Sequence, residues 1–147
     1  MKILLIEDNF ADRLLTQKAF SKTSGECELF CVDEGQSALQ YLLSQPEDSL
    51  PNVVLSDMHL PDMTGHEILG SVKEHKHLRD IPFVVLSSSS SQQEIDLSFE
   101  LGANSHVFKP NSMRAFYAFA EAILLASQKT PFALDVLYEA HHHTGAA

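Results

Sequence analysis

Five short apolar runs punctuate the chain, at residues 2–6, 27–32, 52–56, 82–87 and 105–108. Leu4-Leu5-Ile6, Val53-Val54-Leu55 and Val84-Val85-Leu86 are apolar without alternation. A strand with one wet face alternates, whereas a strand covered on both faces does not, so these runs read as strands of a buried parallel sheet. The segments between them carry helix signals. Thr64 with Glu67 and Ser91 with Glu94 fit a capping box, a hydroxyl at the N-cap and a Glu three residues on. Asp33 and Gln36 repeat that spacing, and Met113, Phe116, Tyr117, Ala120, Ile123 and Leu124 recur at helical spacing in the last helix. Strand and helix in alternation require right-handed crossovers. The expected fold is therefore α/β, a single five-stranded parallel sheet with helices on both faces. No internal repeat or interdomain linker is visible. Residues 1–128 are expected to form the domain, and 129–147, beyond the Pro131 break, an extension without its own fold.

Apolar residues beyond one core's needs point to a contact surface. In the fourth helix Ile95 and Phe99 form one stripe and Leu97 and Leu101 another, with one expected to be buried and the other half covered. Phe116, Tyr117 and Phe119 stand too close together for all to face the sheet, and Phe132, Leu134, Val136, Leu137 and Tyr138 follow in the tail. The fourth helix, fifth strand, fifth helix and tail are thus the expected docking or homodimer face.

Charge narrows the function classes. The chain of 147 residues has 20 acidic and 10 basic residues, net −10. That excludes non-specific nucleic-acid binding, which needs a basic patch to displace counterions. No apolar stretch reaches the ~20 residues of a membrane span. The N-terminal apolar run stops at Glu7-Asp8, too early for a signal peptide, so a cytoplasmic location is expected. Cys27 and Cys31 on one strand would lie about 13 Å apart, too far for a disulfide, and read as buried thiols in a reducing compartment.

In an open α/β sheet, ligands bind beyond the carboxyl ends of the strands. Glu7 and Asp8 follow the first strand, Asp57 the third, Ser87 ends the fourth, and Lys109-Pro110 follows the fifth. Three carboxylates, a hydroxyl and an ammonium are thereby brought to one edge. Crowded carboxylates do not ionise together cheaply without a cation. Mg²⁺ fits, since it takes one or two carboxylates plus a phosphate oxygen. A carboxylate beside it can act as a nucleophile towards phosphorus.

Glu7-Asp8, the stretch Ser56-Asp57-Met58-His59-Leu60-Pro61-Asp62-Met63-Thr64-Gly65, Leu86-Ser87-Ser88 and Lys109-Pro110 resemble the receiver domain of two-component response regulators, over residues 1–128. Residues 69–91 are similar to the small stand-alone regulators that partner bacterial phytochromes. The resemblance implies strand order 2-1-3-4-5 and Asp57 as acceptor of a phosphoryl group from a histidine kinase, of phytochrome or hybrid type. It implies that Glu7, Asp8, Asp57 and the Met58 backbone carbonyl hold Mg²⁺. Ser87 would be the switch hydroxyl and Lys109 the phosphate partner, while Pro61 and Gly65 shape the loop after the acceptor. Such a protein is a phosphoacceptor that loses its phosphate slowly rather than an enzyme. One position departs from the family. His106 stands where Tyr or Phe is usual, a smaller, polar, titratable ring at the switch.

Two other readings stay open. A haloacid-dehalogenase-type phosphohydrolase also uses an Asp nucleophile with Mg²⁺, but needs an acid two residues later, where His59 stands. A receiver-like scaffold that is never phosphorylated would keep the fold alone. His59 itself is expected to be an exposed loop residue, and His141-His142-His143 a solvated tail.

Overall fold

In the computed structural model, which describes residues 1–23, 26–89 and 91–134, strand and helix alternate from end to end. The order is β1 (Lys2–Ile6), α1 (Phe10–Lys22), β2 (Glu28–Val32), α2 (Gly35–Ser44), β3 (Val53–Asp57), α3 (Gly65–Glu74), β4 (Phe83–Ser87), α4 (Gln92–Glu100), β5 (Ser105–Phe108) and α5 (Met113–Ser127). The strands form one parallel sheet in the order β2-β1-β3-β4-β5. Each strand begins or ends within a residue of its apolar run.

The non-alternating runs have the expected cause. Ile3, Leu5, Val53, Leu55, Val84 and Leu86 point to one face, where they meet Ala19 and Phe20 of α1 and Phe116, Phe119 and Ile123 of α5. Leu4, Ile6, Val54, Phe83 and Val85 point to the other, against Ala38 and Leu42 of α2 and Ile68, Leu69 and Val72 of α3. Successive residues feed opposite cores, and each fully buried aliphatic side chain contributes about 1.5–3 kcal/mol. β2 lies at the sheet edge with Glu28 and Phe30 exposed. Cys27 and Cys31 are accordingly half-buried free thiols rather than buried ones.

Local expectations are corrected in three places. The Thr64–Glu67 capping box is complete, but the Ser91–Glu94 one is half-made. Ser91 Oγ accepts from the Glu94 N–H, while the Glu94 carboxylate turns inward to Ser87. Asp33 does not cap α2. The N-cap is Glu34, without a side-chain bond, and Asp62 from the β3–α3 loop accepts from the Gly35 and Gln36 N–H groups instead. α4 packs through Ile95 and Ser98, three residues apart on one face, so Phe99 joins Leu97 among the exposed residues. Phe116 and Phe119 share that same spacing and are both buried, leaving Tyr117 half-covered.

Past α5, Leu134 is buried and Phe132 packs beside it against the α1–α5 core. Val136, Leu137, Tyr138 and His141-His142-His143 lie outside the described residues. No helix among the described residues is long and apolar enough to cross a membrane.

Candidate functional site

Parallel strands place their carboxyl ends on one edge, and the register there is tight. Asp57, the last residue of β3, pairs with Leu86, and Ser87, the last of β4, pairs with Phe108. The Glu7 N–H donates to the Val32 carbonyl at 3.0 Å and the Lys109 N–H to the Ser87 carbonyl at 2.8 Å, so both residues leave the sheet in fixed directions. Glu7 and Asp57 are buried and Asp8 is exposed. One carboxylate oxygen from each of Glu7, Asp8 and Asp57 lies within 4.8 Å of the others.

Lys109 Nζ reaches into this cluster, 2.9 Å from Glu7 Oε1, 3.2 Å from Asp57 Oδ2 and 2.8 Å from Asp12 Oδ2. Asp12, on the first turn of α1, is a site residue that the sequence reading missed. Its one signal was a spacing of four from Asp8. Burial pushes the Glu7 carboxyl up to about 7, a rise that the Lys109 hydrogen bond opposes and the Asp57 charge reinforces. Burial alone would lower the Lys109 ammonium, but hydrogen bonds to Asp12 and Glu7 and the Asp57 charge outweigh it and raise its pKa above the usual lysine value.

The loop after Asp57 is held at both ends. Asp62 ties it to α2, and the Gly65 N–H donates to the Met58 carbonyl at 2.7 Å. That carbonyl oxygen keeps a second lone pair for another partner. A Cβ on Gly65 would stand 2.8 Å from the Asp57 carbonyl oxygen, a backbone atom that cannot yield, so glycine is required there.

Ser87 is fully buried. Its hydroxyl donates to Glu94 Oε2 at 2.5 Å and accepts from the Ser89 N–H at 3.1 Å. Glu94 also faces His106 Nε2 at 3.6 Å and His59 Nε2 at 3.9 Å. His106 is buried, its Nδ1 hydrogen-bonded to Ser98 Oγ at 2.7 Å, and Ser98 is bonded in turn to His66 Nε2 at 2.7 Å. Burial holds the His66 imidazole below its ordinary value, against the Glu94 charge. A Phe could not make such a chain, so the unusual ring at this position joins a polar network. Glu94, Ser98 and His66 were not singled out for it in the sequence. His59 is exposed, as expected for a loop.

The fold and the acidic edge together define a class, and residues 3–121 match the response regulator receiver domain family. The chain belongs to that family of two-component signalling proteins. It is similar to the response regulator Rcp1 of Synechocystis, 32% identical over 124 residues, covering 82% of this chain and 84% of that protein. The phosphorylated cyanobacterial phytochrome response regulator RcpA superposes with a TM-score of 0.79 at 32% identity, covering 88% of this chain and 94% of that one. The Mn²⁺-bound form of Rcp1 superposes with a TM-score of 0.74 at 32% identity, covering 83% of this chain and 90% of that one.

Proposed function

We propose that Asp57 accepts a phosphoryl group from the histidine of a sensor kinase. An Asp57 carboxylate oxygen bonds to phosphorus as the nitrogen–phosphorus bond of the donor breaks, and the departing imidazole takes up a proton. Glu7, Asp8, Asp57 and the Met58 carbonyl would hold Mg²⁺. The donor set fits a hard cation, since it is all oxygen, and Lys109 is left to face three carboxylates. When bound, the metal would neutralise charge on the phosphoryl oxygens. Lys109 and Ser87 would donate to the oxygens that the metal does not hold. The observation that carries this reading is the convergence of Asp57, two further carboxylates and Lys109 within hydrogen-bonding or metal-binding reach.

Likeness to phytochrome response regulators supports a kinase of phytochrome type as partner, in the cytoplasm. The same reading assigns a phosphorylation-dependent homodimer face to α4, β5 and α5, where Leu97 and Phe99 are exposed. The test of the acceptor is an intact-mass measurement after incubation with a small phosphodonor and Mg²⁺. An adduct of ~80 Da, one phosphoryl group on a nucleophilic carboxylate, is expected. It should vanish in Asp57→Asn, and its survival there would refute the assignment.

A further inference from the structure

The Ser87 hydroxyl has one proton to give, and that proton is already engaged by Glu94 at 2.5 Å. Its lone pair side is engaged too, by the Ser89 N–H at 3.1 Å. A phosphoryl group on Asp57 would offer acceptor oxygens alone, so Ser87 cannot serve Glu94 and the phosphoryl group together. A hydroxyl–carboxylate bond this short is of the strong, charge-assisted kind. Ser87 is fully buried and the Glu94 side chain is 15% exposed, which leaves water little access to take the place of either partner.

Resting on the proposed roles of Asp57 and Ser87, we infer that Glu94 is a positioning residue that holds the Ser87 hydroxyl away from the phosphoryl site. Phosphorylation then exchanges a Ser87–Glu94 hydrogen bond for a Ser87–phosphoryl one. The exchange is felt beyond the site because of where Glu94 stands. It belongs to the first turn of α4, where Ser91 caps its N–H, and its carboxylate faces His106 of β5 and His59 of the acceptor loop. Release of Ser87 therefore changes what one carboxylate does at the junction of three segments.

The test is calorimetric titration of beryllofluoride, a phosphoryl mimic, in the presence of Mg²⁺; the chain has no tryptophan to report binding by fluorescence. Glu94→Ala should bind the mimic roughly tenfold more tightly, the scale of one charge-assisted hydrogen bond no longer competing. Glu94→Gln, which keeps the shape and a weaker acceptor, should fall between wild type and Glu94→Ala, and serves if the alanine variant folds poorly. In a Ser87→Ala background, with no proton to release, the gain from Glu94→Ala should shrink to about twofold or less. An equal gain in both backgrounds would mean that only the negative charge of Glu94 acts, and would overturn the inference. So would unchanged or weaker binding by both Glu94 variants when wild type binds normally. If wild type itself does not bind the mimic, the phosphoacceptor reading falls, and this inference with it.

Discussion

Asp8 and Glu7 are neighbours with different duties. Glu7 is buried, accepts from the Asn9 N–H and pairs with Lys109, whereas Asp8 is exposed at the mouth of the cluster. Asp8→Asn should therefore weaken Mg²⁺ binding by about tenfold or more, and by more than Glu7→Gln, in a calorimetric titration. Equal losses would place both carboxylates on the same footing. His66 predicts a pH effect. Its folded pKa is depressed from 6.5, first by burial, so it binds protons less readily than in the unfolded chain. The stability it contributes is full above 6.5 and is lost as pH falls below that value and through the lower folded pKa. Urea midpoints at pH 7.5 and 5.5 should differ less for His66→Gln than for wild type. An equal difference would remove this imidazole from the titration.

At the scale of elements, α2 is started by another segment. Asp62 lies 27 residues beyond Gly35 yet supplies both N-terminal hydrogen bonds of that helix. Those bonds, the one from Gln36 foremost, hold the Asp62 carboxyl below its usual range. Asp62→Ala should cost about 1 kcal/mol, a typical capping loss at an exposed site, read as a lowered urea midpoint. It should also loosen the acceptor loop, seen as faster amide exchange at Met63 and Gly35. A variant with wild-type stability and exchange would show that the cap is dispensable. Capping signals on α3 were legible because both partners lie within one turn. Those for α2 were not, because the acceptor that caps it, Asp62, is distant in sequence and meets the helix by tertiary contact.

Across the whole molecule, the apolar surplus of α4 and the segment past α5 divides in two. Leu134 is 4% exposed and belongs to the α1–α5 core, whereas Phe99 is 42% exposed on α4. Leu134→Ala should destabilise the chain by about 2–3 kcal/mol through a cavity, without changing its sedimenting mass. Phe99→Glu should leave stability nearly unchanged but keep the beryllofluoride-bound chain monomeric where wild type is expected to dimerise. Sedimentation equilibrium checks both, and a wild type that stays monomeric in the bound state would dismiss α4 as an assembly face.

The sequence by itself determined the sheet, its two-sided burial and the residues at its carboxyl edge. Those features follow from hydrophobic runs and from parallel topology, which brings strand ends together whatever the side chains do. Resemblance added the strand order and the roles assigned to Asp57, Lys109 and Ser87. Only the tertiary structure decided who holds whom at that edge. Asp12 joins Lys109, Glu94 accepts the Ser87 hydrogen bond, and His106 binds Ser98 and through it His66. The reason is physical. Burial is a property of patterns along the chain, whereas a hydrogen bond between buried groups depends on ångström-scale distances between segments that the chain does not place until it folds.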